Sequence, residues 1–143
     1  QVIMNVDLAP TFLEIAGIAK PRKMQGSSFA GLLNGKSTVW KRDKVFYEYY
    51  WEAAFPQTPT TFAIRTDRYK YIYYNGVWDI NELFDLQNDP FEMNNLIRDT
   101  SLRETGIRLK TELFNWLKET NGLQIPLKRT IDNRNDNLYK GTY

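Results

Sequence analysis

The sequence predicts an α+β fold in which a four-stranded antiparallel sheet packs against one long C-terminal helix. Segments rich in aromatic and β-branched residues cluster in the middle of the chain, and short turn sequences separate them. An amphipathic stretch follows, roughly Leu102 to Thr120, with apolar side chains at helical spacing. Strands joined by short turns pair antiparallel, and one apolar helix stripe can cover one face of such a sheet.

The strands are expected at residues 45–51, 60–66, 69–74 and 82–86. In the first of them, alternation places Val45, Tyr47, Tyr49 and Trp51 on one face and Phe46, Glu48 and Tyr50 on the other. Aromatic residues on strands most often pack in a core, so core packing is the expectation for Tyr47, Tyr49 and Trp51. Between the first two strands, Pro56 and Pro59 predict an irregular loop.

The remaining elements follow from helix-boundary signals. Asp7 is expected to cap an opening helix that Gly17 ends, with one apolar stripe formed by Leu8, Phe12, Ile15 and Ala16. Ser27 or Ser28 can cap a short helix through Leu33. The segment 89–92 reads as a helix start in which Glu92 reaches back to Asp89, with a turn as its structural role.

Three regions are expected along the chain. Residues 1–36 would be the end of a preceding domain or its junction, residues 37–125 the α+β domain, and residues 126–143 a polar tail. The opening QVIMNVDLAP reads as mid-protein sequence, so we interpret the chain as part of a longer protein.

Composition excludes several classes of function. The 143 residues contain neither Cys nor His, which removes thiol nucleophiles, imidazole bases and the usual zinc ligands. A net charge of +2, with acidic and basic residues mixed, argues against nucleic acid as a partner. The sequence has no apolar run long enough to span a membrane. Carboxylate pairs, as in glycosidases, stay possible, although the acidic residues fall mostly at predicted helix caps, turns and exposed faces.

Four segments in order resemble type I sulfatases. They are VDLAPTFLEIAGI at the start, MQGSSFAGLLNGK from Met24, AIRTDRYKYI from Ala63, and ELFDLQNDPFEMNNL from Glu82, which is similar to that family's C-terminal signature. The resemblance covers about two-thirds of the chain and implies the C-terminal domain of a formylglycine-dependent sulfatase, in the alkaline-phosphatase-like superfamily. The same resemblance implies that the N-terminal domain of the same polypeptide is its partner.

That resemblance also locates the chemistry elsewhere. Such enzymes hydrolyse sulfate esters with a formylglycine made from a C/S-x-P-x-R motif and bind the sulfate through calcium. This sequence lacks the motif, so the resemblance places formylglycine and calcium in the N-terminal domain, and no catalysis is expected from this chain alone. By family analogy the parent protein is exported, to the periplasm or outside the cell in bacteria or to lysosomes in animals.

The stretch from Tyr47 to Arg65 resembles carbohydrate sulfatases that act on N-acetylglucosamine-6-sulfate or related glycosaminoglycan and mucin sugars. Choline sulfate and aryl sulfates stay open as substrates. Aromatic rings can stack on a pyranose, and carboxylate, amide and hydroxyl groups can bind its hydroxyls. The candidate substrate-binding residues are Glu48, Tyr50, Trp51, Glu52, Gln57, Thr58 and Arg65.

Structural roles compete with these assignments. Glu48 and Glu52 can be exposed or paired charges, and Arg65 is expected to pair with Glu48 across the sheet. Trp78 is either a hydrophobic plug or a subsite ring. The alternative to a sulfatase domain is a non-catalytic carbohydrate-binding or interaction domain, for which a coplanar row of exposed aromatic rings would be typical.

Overall fold

The structure is a computed structural model that describes residues 2–36, 40, 42–52, 54–76 and 80–125. These residues form two compact units, one ending at Asp43 and the other beginning at Lys44. Trp78 and the predicted tail 126–143 lie outside the described residues.

The first unit is built from two short helices. A 3-10 turn at Asn5–Asp7 leads into α1 (Leu8–Ile15), and α2 follows at Ala30–Leu33. Gly17 has a φ of 70° after α1, as predicted for the residue that ends this helix. Of the two serines expected to begin the short helix, Ser28 accepts a hydrogen bond from the Ala30 N–H at 3.2 Å.

Asp7 is the N-cap residue of α1, as predicted, but its side chain makes no capping hydrogen bond to the helix. The carboxylate is fully buried and accepts the N–H groups of Met4 (2.8 Å) and Ser27 (2.9 Å) instead. The Arg42 guanidinium binds both of its oxygens, one at 2.7 Å. A buried charge is stable only when it is paired and hydrogen-bonded, and Asp7 meets that condition by joining three separate segments of the unit.

Four strands form one antiparallel sheet in the second unit. They are β1 (Lys44–Tyr49), β2 (Thr61–Thr66), β3 (Tyr69–Tyr74) and β4 (Glu82–Asp85), and they pair in sequence order. The predicted strands are confirmed. β1 ends at Tyr49, two residues before the predicted end at Trp51. Because each strand pairs with its neighbour in sequence, the sheet is a simple meander.

A single long helix, α3 (Arg103–Glu119), covers one face of the sheet, as predicted. A 3-10 turn at Thr100–Leu102 precedes it. Seven buried side chains form the core cluster between helix and sheet: Phe62, Ile64, Tyr71, Leu83, Leu109, Leu113 and Leu117. At its edge the Phe46 ring stacks on Trp116, with centroids 4.7 Å apart and planes 5° apart. We call the covered face of the sheet the inner face and the opposite one the outer face.

The segment after β4 is held by side-chain hydrogen bonds. Asn95 Oδ1 accepts the N–H groups of Leu83 (3.1 Å) and Ile97 (3.0 Å), and so ties the segment to β4. The nearly buried Asp85 pairs with Arg68, Nη2 to Oδ2 at 2.9 Å, and this guanidinium lowers the pKa of the carboxyl. The Asp85 carboxylate and the Asn95 amide therefore bind a cation and main-chain groups, respectively.

No helix begins at residues 89–92, so that part of the prediction is wrong, while the turn is confirmed. The Asp89 carboxylate accepts the Asn94 N–H at 2.8 Å, and Glu92 has a φ of 55°. Glu92 forms an ion pair with Lys70 rather than reaching back to Asp89. A left-handed residue at this position cannot continue a right-handed helix.

The Asp7–Arg42 pair gives a testable pH dependence. Hydrogen bonds from Arg42 are the largest cause that lowers the pKa of Asp7 from 3.8 to about 2. A depressed carboxyl pKa contributes stability that is present above about pH 4 and is lost as pH falls through about 2; the contribution is about 2 kcal/mol. In Arg42→Gln the pKa of Asp7 should rise towards its ordinary value, because the hydrogen bonds and charge of the guanidinium are the largest influence that lowers it.

The Ser27 amide proton, which bonds to Asp7, reports this titration in NMR spectra recorded against pH. Arg22→Gln is the matched control, because Arg22 is exposed and makes no bond to Asp7. An Asp7 midpoint near 2 in the Arg42→Gln protein would contradict the assignment.

Candidate functional site

The loop between β1 and β2 is braced by hydrogen bonds of its own. The Trp51 N–H donates to Thr60 Oγ1 at 2.8 Å, and its indole N–H donates to the Pro56 carbonyl at 3.2 Å. Two consecutive turns complete it, from the Phe55 N–H to the Glu52 carbonyl and from the Thr58 N–H to the Phe55 carbonyl, each at 3.0 Å. The two prolines restrict the chain further, so its side chains are presented on an ordered backbone.

Four of the seven predicted substrate-binding residues share this loop. Trp51 is 41% exposed and Gln57 is exposed, while Glu52 and Thr58 are half-buried. Core packing of Trp51 was expected and is wrong, because the strand ends before it and its ring lies on the loop. An indole with a carboxylate, an amide and a hydroxyl nearby suits a ligand with one apolar face and several hydroxyls.

Phe55 is a loop residue that the sequence analysis missed. Its ring is 53% exposed. A signal was available, because an aromatic residue next to Pro56 in a proline-flanked loop has no strand on which to enter the core. Together Trp51 and Phe55 give the loop two exposed aromatic rings.

Tyr50 and Glu48 lie away from the loop surface, on the inner face. The Tyr50 ring packs edge-on against Phe62 with centroids 5.9 Å apart. Its hydroxyl lies 2.9 Å from Glu48 Oε2 and 2.8 Å from the Gly122 carbonyl oxygen, beyond the end of α3. Burial, followed by the hydrogen bond to Glu48, raises the pKa of Tyr50 to about 12. In this structure Tyr50 acts as a packing residue that joins β1 to the C-terminal end of α3.

Arg65 lies on the outer face, opposite Val45 on β1 and Lys70 on β3. Glu48 lies opposite Phe62 and points to the inner face, so the predicted pair of Glu48 with Arg65 is wrong. Side chains alternate between the two faces along a strand. Val45, opposite Arg65, is three residues from Glu48, so Glu48 and Arg65 point to opposite faces.

The outer face carries a shallow groove of about 320 Å³, to which Arg65 contributes. Tyr47 lines it and is 53% exposed, so the expected core position of Tyr47 is wrong as well. The other residues that line the groove are Val45, Thr61, Ala63, Lys70, Ile72 and Tyr74. The structure thus divides the seven predicted residues among three places.

The resemblance implied calcium and formylglycine in the N-terminal domain and no metal ligand set in this chain. No group of three or more acidic, Cys or His side chains among them is placed to hold a metal ion. The sequence contains no Cys and no Ser followed by x-P-x-R. Within the same residues, no helix has the length and apolar character needed to cross a membrane.

Comparison with known proteins identifies this architecture. A family model described as N-sulphoglucosamine sulphohydrolase, C-terminal, matches residues 1–119. An N-acetylglucosamine-6-O-sulfatase from Bacteroides thetaiotaomicron is 35% identical over 121 residues, which cover 83% of this chain and 21% of that protein. An ulvan-active sulfatase from Formosa agariphila is 29% identical over 175 aligned positions, covering 99% of this chain and 35% of that protein.

Solved structures agree with the sequence relatives. A structure described as a complex with its substrate D-glucosamine-2-N,6-O-disulfate superposes with a TM-score of 0.72 and 31% identity, covering 88% of this chain and 26% of that one. The chain belongs to the sulfatase family, and it corresponds to the C-terminal domain of these proteins. It spans between about a fifth and a third of the length of the curated relatives described here.

The contacts of Tyr50 predict a stability effect. Replacing Tyr50 by Phe removes the hydroxyl that bonds Glu48 and Gly122 but keeps the ring against Phe62, so the free energy of unfolding should fall by about 1 kcal/mol. A raised tyrosine pKa contributes stability below about pH 10 that is lost as pH rises through about 12. The difference in the free energy of unfolding between wild type and Tyr50→Phe should therefore become smaller as pH rises from about 10 to about 12.

Urea unfolding of the chain, followed at several pH values, measures both effects. Tyr47→Phe is the matched control, because that tyrosine is exposed on the outer face and should change stability little. Equal losses in the two variants would show that the Tyr50 hydroxyl has no special role.

Proposed function

We propose that this chain is the C-terminal domain of a carbohydrate sulfatase and that its β1–β2 loop lines the substrate pocket. The substrate is the sulfate ester of a glycan sugar, N-acetylglucosamine-6-sulfate or a related glycosaminoglycan or mucin sugar. The identity to an N-acetylglucosamine-6-O-sulfatase, 35% over 121 residues, is the observation that carries the proposal.

The loop supports the choice of a sugar as ligand. Its backbone is fixed by the two Trp51 hydrogen bonds and two turns, so little conformational entropy remains to be lost on binding. Trp51 and Phe55 provide exposed apolar rings, while Glu52 and Gln57 provide hydrogen-bonding groups. Tyr50 and Arg65 are assigned no direct contact with this pocket. Tyr50 packs on the inner face of the sheet, and Arg65 lines the groove on the outer face.

We also propose that the N-terminal domain of the same polypeptide is the partner of this chain. An exposed apolar stripe on α1 supports this proposal. Leu8, Phe12 and Ile15 share that stripe and are 45%, 64% and 63% exposed. Contiguous exposed apolar side chains of this kind mark an interaction surface. In this proposal that domain holds the formylglycine and the calcium ion, which supply the nucleophile and the sulfate-binding charge, and the whole protein is exported.

The test compares sulfate release by the full-length protein and by its Glu52→Ala/Gln57→Ala variant. With N-acetylglucosamine-6-sulfate as substrate, kcat/KM should fall by roughly tenfold or more, about 1.4 kcal/mol of lost transition-state binding. With a small aryl sulfate, which has no sugar hydroxyls, the same variant should match wild type. The loop would then contact the sugar and not the sulfate.

A matched control carries Glu119→Ala and Gln87→Ala, which remove the same two kinds of side chain from exposed positions at the end of α3 and after β4. An unchanged kcat/KM in the loop variant would show that the loop is scaffold. Glycan binding by a full-length protein inactive on every sulfate ester would instead favour a non-catalytic carbohydrate-binding domain.

A further inference from the structure

A second cleft, distinct from the β1–β2 loop, opens beside the first turns of α3. Its volume is about 180 Å³. The residues that line it are Tyr71, Leu83, Ile97, Leu102, Arg103, Gly106, Ile107 and Lys110. Its lining is thus mainly apolar, with one tyrosine and two cationic side chains. An engineered apolar cavity of about 150 Å³ is large enough to bind benzene, so this cleft has room for a small ring.

Gly106 leaves the cleft open at the helix wall. A glycine within a helix destabilises it relative to alanine, so its presence requires a reason. Packing does not supply one, because a Cβ at this position would meet only Leu83 Cδ2, at an ordinary contact distance of 3.9 Å. Because Gly106 has no side chain, the space between α3 and Leu83 remains open.

Tyr71 brings a buried polar group to the same cleft. Its side chain is only 2% exposed and lines the cleft from β3. Within the residues described, its hydroxyl donates no hydrogen bond to another residue, so it is available to a ligand in the cleft. Burial raises the pKa of Tyr71 to about 12, so the group remains a protonated donor at neutral pH.

The charge around the cleft is positive. Arg103 and Lys110 both line it, and neither belongs to an ion pair in the part of the chain that the structure describes. Lys110 lies over the rings of Tyr73 and Phe114, 5.6 and 5.9 Å from their centroids, which restricts its position. An anionic group at this cleft would meet two cations without a competing carboxylate on its lining.

We propose that this cleft binds a small organic monoanion with a flat apolar body, such as an aromatic carboxylate. The apolar body occupies the space beside Gly106 and Leu83, and the acid group is held by Arg103 and Lys110. The Tyr71 hydroxyl donates a hydrogen bond to the acid group. This site is independent of the proposed sugar pocket, since it shares no residue with the β1–β2 loop.

The test uses 4-fluorobenzoate as the probe, with binding followed by ¹⁹F NMR on the 143-residue chain and on the full-length protein. A dissociation constant on the order of 1 mM is expected for a ligand of this size. The neutral 4-fluorobenzyl alcohol should bind at least about fivefold more weakly, because it cannot use the two cations.

Variants locate the binding. Gly106→Leu fills the cleft and should abolish binding, while Gly106→Ala checks that a side chain at this position leaves the fold intact. Tyr71→Phe keeps the ring and should weaken binding about threefold to tenfold, the range for one lost hydrogen bond. Arg103→Gln should weaken binding of the carboxylate but not of the alcohol, and Lys118→Gln, on the same helix and outside the cleft, should change neither.

Binding that requires the open Gly106 position, the Tyr71 hydroxyl and Arg103 would support the proposal. Unchanged binding in folded Gly106→Leu protein would overturn it, as would equal affinity for the carboxylate and the alcohol. Absence of probe binding to the full-length protein would also overturn it.

Discussion

The packing of α3 on one face of the sheet sets the direction of every strand side chain. Leu109, Leu113 and Leu117 follow one another at intervals of four residues and are fully buried. They lie against inner-face residues that alternate along the strands, including Phe62 and Ile64. A shift of one residue in strand register would turn those side chains outward, so this contact fixes the register and leaves the outer face and the β1–β2 loop uncovered.

The order of elements could be predicted because each signal in that region is local and agrees with its neighbours. Strand-forming residues bounded by turn residues located β2 and β3, and helical spacing located α3. The faces of β1 could not be predicted, because aromatic residues occupy both of them. Phe46 stacks on Trp116 in the interior while Tyr47 is exposed, and only the partner strand and helix distinguish the two.

The candidate site was predictable in part for the same reason. Proline-flanked polar residues such as Gln57 had to lie on a loop, whatever the rest of the fold. Glu48, Tyr50 and Arg65 depended on register and on contacts distant in sequence, such as the Gly122 carbonyl that Tyr50 reaches. Likewise Asp7 had the sequence of a cap, but its actual partner, Arg42, lies outside the helix and could not be read from local pattern.

Several polar side chains of segment 82–96, whose sequence resembles the sulfatase C-terminal signature, are engaged in hydrogen bonds. Asp85 is engaged by Arg68 and Asn88, Asp89 accepts main-chain N–H groups, and Asn95 bonds main-chain groups on both sides of it. Each would have to break such a bond to contact a ligand, which is costly for a buried or charge-assisted hydrogen bond. In the proposed function, the contacts of this domain with the substrate therefore come from residues with unused hydrogen-bonding capacity. The β1–β2 loop has them, because its braces are mainly main-chain groups, the Trp51 indole and Thr60, which leaves the side chains of Glu52 and Gln57 available.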